Sequence, residues 1–341
     1  STTQSAFFTT SKCSSILPVL ILLILFLSVS LMYGRKIVVK MATLAPEGTD
    51  WHGMLIEMGQ EWKKATDGNV QLRIYPGGVL GDERDMVRKM RIGQIHSAGI
   101  TTEGLTEIVP DFSAFYVPLA FKDNADIQAV LDDMYPSLEK KLEEKGFKLL
   151  YLADLGWAYW FSTTKVTSPA DLKDKRIFTW AGDFKWAEVY KKAGYNPVPL
   201  ASTDILSGLQ TGLIDAMSTM PLYALAQQAF GITNHMLDLK WGTLLAGIII
   251  DIKTWNRIPE KYHEDIISIA NSVREKHQQN NKNAERQAID AMKQYGLVIH
   301  QPTPDEVILW QEEVNKMEPY LRGNIIPADV FDRVIELTRD K

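Results

Sequence analysis

Apolar positions along the chain fall into two periods, and their order outlines a fold. Residues 35–41 (RKIVVKM) read as a strand, broken by Pro46, Glu47 and Gly48. Trp51, Met54, Leu55, Met58 and Trp62 recur at three- and four-residue spacing. That spacing predicts a helix with Thr49 or Asp50 as its cap and Gly68 near its stop. Val70, Leu72 and Ile74 then alternate with Gln71, Arg73 and Tyr75, as in a half-buried strand. A helix over 82–91 ending near Gly93 and a short strand over 97–100 complete a β-α-β-α-β series. This order predicts a mostly parallel sheet with helices on both faces.

The alternation restarts after a long helical stretch. Residues 148–153, 157–163 and 176–179 read as strands. Trp186, Val189, Tyr190 and Ala193 line one helix closed by Gly194; Ile205, Leu206 and Leu209 line the next, closed by Gly212. Residues 213–217 read as a buried strand, and 244–252 (LLAGIIIDI) as the most apolar strand of the body. One long helix or two abutting ones span 260–295, closed by Gly296. Thr303, Pro304 and Glu306 form a capping-box start for a helix through Trp310. No Gly/Ser-rich linker separates the halves, so crossing strands and a long helix are expected to join them.

The first 34 residues stand apart: Lys12 precedes an apolar run from Ile16 to Leu27, the pattern of an export signal. The run could also span a bilayer, so the segment is either removed on export or kept as an anchor. Either way the body is expected outside the cytoplasm, in the periplasm. With 45% apolar and 23% charged residues the body has the balance of a packed globular protein. A net charge of −5 gives no basic surplus for nucleic acid, and the single cysteine, Cys13, lies in the leader. No phosphate-binding, dinucleotide or nucleophile-elbow motif is present, and the six histidines show no metal-ligand spacing. His263 and His277 read as solvated surface, and His235, after Asn234, as a helix cap. No catalytic residue, metal site or cofactor is expected.

Three segments, in order, carry a resemblance: YPGGVLGDERDMVRKMRIG at 75–93, FSAFYVPLAF at 112–121 and LASTDILSGLQTGLIDAMSTMP at 200–221. Together with SPADLKDKRIFTWAG at 168–182 they resemble the solute-binding proteins of TRAP transporters, the DctP-type family. The resemblance covers nearly all of residues 36–341. It implies an α/β fold of two lobes around a cleft, built from discontinuous chain and braced by long helices. The expected division is 35–156 plus 239–280 for one lobe and 157–238 plus 281–341 for the other. It also implies a monomeric, non-enzymatic receptor that closes over a small-molecule ligand and hands it to the membrane subunits of an ion-gradient-driven permease. A ligand-presenting sensory or scavenging module of the same fold is the alternative.

The departures from the family pattern bear on the ligand. The resemblance implies an arginine at the end of the "DLKG-x-K-x-R" segment, where it clamps a substrate carboxylate; here Phe178 stands there and Arg176 falls two residues earlier. A second basic position aligns near Tyr159, within GWAYWF. Trp157, Tyr159, Trp160, Phe178 and Trp180 therefore become candidate ligand contacts, with Arg176 as the one basic candidate. Ser218, Thr219 and Met220 stand at the family's polar contact after "G-x-x-D", whose aspartate is Asp215, read as fixing a local turn. Trp51 sits at a turn where open α/β sheets present ligand contacts, as do Thr101, Thr102 and Glu103, and Tyr223 is within reach after Pro221. Aromatic faces in place of arginines suit an apolar, aromatic or cationic ligand better than a simple dicarboxylate.

Overall fold

The computed structural model describes residues 36–281 and 283–339. The expected export segment, 1–34, lies outside them. Among the described residues no helix is long and apolar enough to cross a membrane.

Ten strands follow in chain order: β1 (Ile37–Thr43), β2 (Val70–Tyr75), β3 (Ser97–Thr101), β4 (Phe147–Ser162), β5 (Arg176–Trp180), β6 (Asn196–Leu200), β7 (Ala216–Thr219), β8 (His235–Leu237), β9 (Gly242–Asp251) and β10 (Val298–His300). Their hydrogen-bonded order is β2-β1-β3-β9-β4-β7-β5-β6, with β8 on β4 and β10 on β8. β1 is parallel to both β2 and β3, and β5 is parallel to both β6 and β7. The two halves thus repeat one plan, a central first strand flanked by its second and third. β4 and β9 run antiparallel to each other and cross between the halves. β4 pairs with β9 as far as Ala158 and with β7 from Tyr159 on, so one continuous strand belongs to both sheets.

Local chemistry explains the elements next to the cleft. The helix Asp50–Ala65 starts where Thr49 Oγ1 accepts the His52 N–H, and it buries Leu55, Met58 and Trp62. Trp62 Nε1 donates to Ile266 O at 3.3 Å, pinning this helix to the long brace His263–Asn281. The helix Glu83–Arg91 is capped by Asp82, which accepts the Glu83 N–H at 2.7 Å. Asp82 also accepts from Ser202 of the other half, N–H at 2.7 Å and Oγ at 2.9 Å. Beside this contact Gly78 has φ +72°, and a Cβ there would stand 2.6 Å from Thr203 Cγ2, so only glycine allows the two halves to meet so closely.

The structure differs from the periodicity reading at identifiable places. The strands expected at 148–153 and 157–163 are one, because Asp154 and Gly156 form a bulge that the ladder passes through. Gly156, at φ +112°, donates its N–H to Asp154 Oδ1 at 2.8 Å. The strand expected at 213–217 begins at Ala216. β6 (NPVPL) went unread because of its prolines, and both missing N–H groups fall on its free edge. β8 and β10, of three residues each, are too short to show a period. His235 opens β8 instead of capping a helix, and its Nδ1 lies 2.8 Å from His300 Nε2.

Two tests address what holds the cleft's frame. Trp310 is fully buried, donates Nε1–H to Thr167 O at 2.8 Å and packs edge-on against Trp241 at 5.6 Å. Urea denaturation of Trp310→Ala should show a loss of about 3–5 kcal/mol. Glu83 is fully buried, and its carboxyl accepts the Thr101 N–H and Oγ1–H at 2.8 Å each and the Gly104 N–H at 2.9 Å. Glu83→Ala strands those donors and should cost about 2–4 kcal/mol. Burial raises the Glu83 carboxyl from 4.5 to about 7. Its contribution is therefore full below about pH 4.5 and declines as the pH rises to about 7, because only the unfolded carboxyl ionises freely in that window. The stability gap between the protein and Glu83→Ala should narrow over that window.

Candidate functional site

A cavity of about 160 Å³ lies where the parallel strands of both halves end. The turn after β1 contributes Thr43, Leu44, Ala45 and Pro46, and the end of β3 contributes Thr101. Across from them stand Phe178 and Trp180 of β5 and Met217, Ser218, Thr219 and Met220 at β7. Ligands bind at the carboxyl ends of strands in open α/β sheets because loops and helix starts converge there. The crossing strands supply an apolar floor: Ala153 and Leu155 from β4, Leu244, Ala246 and Ile248 from β9.

The polar groups at this cavity are uncharged hydroxyls, among them those of Thr43, Ser202, Ser218 and Thr219, together with Glu83 and the Trp51–His277 pair. Trp51 Nε1 donates to His277 Nε2 at 3.0 Å, and His277 Nδ1 lies against Met54 Sδ. His277 is 4% exposed, and burial pushes its imidazole down to about 4, so it is neutral at physiological pH. It is not solvated surface as its sequence context suggested: the helix His263–Asn281 lies against β4 and turns this residue inward. Glu83 reaches the cavity from below, its oxygens already engaged by Thr101 and Gly104.

A second cavity of about 130 Å³ adjoins the first and shares Phe178, Trp180, Ser218 and Leu244 with it. Its walls are aromatic. Trp160 packs edge-on against Tyr190 at 6.4 Å and Trp241 at 5.7 Å; Trp186 lies 5.5 Å from Tyr190, and Tyr116 is edge-on to Trp186 at 6.2 Å. Two carboxyls face it, Glu103 and Asp183. Arg84 donates Nε–H to Glu103 Oε1 at 3.1 Å, and Tyr116 donates to Glu103 Oε2 at 3.2 Å. Burial, with Asp183 nearby, raises Glu103 to about 8, and burial raises Asp183 as well. No Lys or Arg is among the described residues that line either cavity.

The structure sorts the sequence candidates. Trp51, Phe178, Trp180, Ser218, Thr219, Met220 and Tyr223 converge on the first cavity, and Trp160 joins Phe178, Trp180 and Ser218 on the second. Trp157, Tyr159 and Arg176 line neither. Strand alternation puts Trp157 and Tyr159 on the face opposite Trp160. There Tyr159 donates to Glu285 Oε1 at 3.0 Å, and Lys240 Nζ covers the Trp157 ring at 4.3 Å. Arg176 starts β5 while the cleft lies beyond its end, about 13 Å away at the strand's rise per residue. Its Nε and Nη2 donate to the two Asp215 oxygens at 2.7 Å each, so Arg176 and Asp215 are each other's partners. Glu83, Asp183, Trp186, Tyr190, Trp241 and His277 were missed as site residues. Trp186 and Tyr190 carried a signal, since both lie on the helix that follows β5, but helical spacing alone also describes core.

Known proteins were compared with this chain. An uncharacterised protein of Haemophilus influenzae is 28% identical over 200 residues; the match spans 56% of this chain and 60% of that protein. The C4-dicarboxylate-binding periplasmic protein DctP of Rhodobacter capsulatus is 24% identical over 260 residues, 73% of this chain and 76% of its own length. A TRAP periplasmic solute-binding protein of Xanthobacter autotrophicus, solved with bound β-D-galacturonate, shares the fold with a TM-score of 0.80. It is 18% identical, and the match covers 89% of this chain and all of that one. The family model of the bacterial extracellular solute-binding proteins of family 7, DctP, matches residues 41–321, and the chain belongs to that family.

Proposed function

We propose that this chain is an extracytoplasmic receptor that closes over a small organic solute and delivers it to a TRAP-type permease. The solute presents an apolar, aromatic or cationic surface instead of a pair of carboxylates. One observation carries this reading: the cleft is lined mainly by aromatic and aliphatic residues with uncharged hydroxyls and three carboxyls among them, and the described lining includes no Lys or Arg to receive a carboxylate. The dicarboxylate and galacturonate binders reported above take acids. Here Phe178 occupies the position at which the resemblance puts a carboxylate-clamping arginine, and Arg176 is held by Asp215 on the far side. A carboxylate desolvated in such a cleft loses several kcal/mol of hydration without a charge-assisted bond in return. The lobe division at 157 and 239 belongs to the same proposal, with β4 and β9 as the crossing strands about which the lobes close.

Thermal-shift screening tests the solute class. Succinate, galacturonate, sialic acid and short 2-oxo acids should give little stabilisation, and aromatic, terpenoid or quaternary-amine solutes a clear rise in Tm. Tight succinate binding would sink the reading. Phe178→Ala should weaken a hit by about 0.5–1.5 kcal/mol. Arg176→Ala should leave its affinity unchanged, and Asp215→Ala should lower Tm without lowering affinity. Small-angle scattering with and without a saturating hit should show compaction; an unchanged radius counts against hinge closure.

A further inference from the structure

The two cavities differ in chemistry, and the difference divides the solute. The first is walled by aliphatic and aromatic groups. The second brings Glu103, 3% exposed, and Asp183 against the rings of Trp160, Trp186, Tyr190 and Trp241. Charge there is unbalanced. The guanidinium of Arg84 serves Glu103 at 3.0 Å and Glu107 at 2.8 Å, and Lys185 acts on Asp183, which leaves two cations for three carboxyls. The upward shifts of Glu103 and Asp183 have the same first cause, burial, which the nearby Arg84 offsets only in part.

A second observation is independent of charge. Trp160 Nε1 and Thr179 Oγ1 are buried and have no hydrogen-bond partner, in residues 1% and 5% exposed. Both line the second cavity. The register puts them on one face of the sheet: Trp160 lies opposite Ser218, and Ile177, two residues before Thr179, lies opposite Ala216, two residues before Ser218. A donor and a hydroxyl left unpaired on one face of the sheet, with β7 between them, await a partner from outside the chain.

We propose that the second cavity is a cation subsite, which takes a protonated or quaternary nitrogen of the solute against Asp183, Glu103 and the aromatic rings, with a neighbouring solute oxygen at Trp160 Nε1 and Thr179 Oγ1. The first cavity takes the apolar body. The solute is then an amphiphilic amine that carries a hydroxyl, ether or carbonyl oxygen. This rests on the solute-receptor reading above and narrows it to one ligand class. Desolvated cations gain most from Trp and Tyr faces when carboxylates stand behind the rings.

Three probes of matched shape test it on the full chain by calorimetric titration: phenylalaninol (cation and hydroxyl), phenylpropanediol (neutral) and phenyllactate (anion). Phenylalaninol should bind roughly tenfold or more tighter than the diol, and phenyllactate weakest. Asp183 caps the helix Phe184–Lys192, accepting the Trp186 N–H at 3.2 Å, and asparagine caps equally well, so Asp183→Asn should fold. It should lower phenylalaninol affinity about tenfold and leave the diol unchanged. Thr179→Val, which keeps shape and removes the unpaired hydroxyl, should weaken both phenylalaninol and the diol. Equal binding of the amine and the diol, or an Asp183→Asn variant with undiminished preference for the amine, overturns the cation subsite and leaves the apolar-solute reading standing. Phenyllactate as the tightest ligand, or no binding by any of the three, overturns both.

Discussion

The rest of the structure depends on one strand that serves two sheets. β4 runs sixteen residues and exchanges its partner from β9 to β7 between Ala158 and Tyr159. A backbone shared this way cannot slide, since a one-residue slip would turn every side chain to the other face of both sheets at once. It can bend, and the bulge at Asp154–Gly156 lies just before the exchange. On the proposed reading, one half moves against the other by rotation about the crossing strands. The cleft sits over them, so whatever fills it touches both halves and the hinge together. A ligand with better contacts in the closed arrangement shifts the population toward it by that difference in affinity and no more.

Much of this plan was legible along the chain because it is periodic. The strands and helices from β1 to β3 announced themselves by alternation and by signals such as the cap at Thr49 and the stop near Gly93, as did the capping box at Thr303. What stayed hidden was local or remote. β6 was masked by two prolines, and the unity of β4 by a bulge that reads as a turn. The cleft's own residues show a further split. Phe178 and Trp180 could be named because a family pattern singles out their segment. Trp241 and His277 come from elements distant in sequence and gave no sign of facing the same space. Arg176 stood as the one basic candidate, and its pairing with Asp215, thirty-nine residues away, is not written in spacing.

Electrostatics accounts for the character of the cleft. In a receptor that holds a carboxylate through arginine, geometry is fixed by two parallel hydrogen bonds, and selectivity is directional. Here the nearest guanidinium, that of Arg84, is engaged by Glu103 and Glu107, and it stands behind the wall instead of in it. On the proposed reading, aromatic and aliphatic contacts take the place of the clamp. They are weaker individually and nearly non-directional, so selectivity must come from shape and from the few polar groups placed among them.

That arrangement also changes how closure is held. Asp82 accepts the Glu83 N–H at the start of one helix and the Ser202 N–H and hydroxyl from the other half. Opening the halves would return the Ser202 groups to water but leave the helix cap intact, so the contact can break without unfolding its own element. Glu83, the next residue, binds Thr101 and Gly104 and thereby fixes the end of β3 on the cleft. Adjacent carboxyls thus divide two tasks: Asp82 joins the halves reversibly, and Glu83 keeps one half rigid while they part. Because the acceptor is a carboxylate and Ser202 is buried, each bond contributes more than a neutral pair, about 1.5–3 kcal/mol. Such a contact ties the halves together beside the cavities above β4 and β9, and on the proposed reading a solute that fills those cavities must add to it for closure to be favoured.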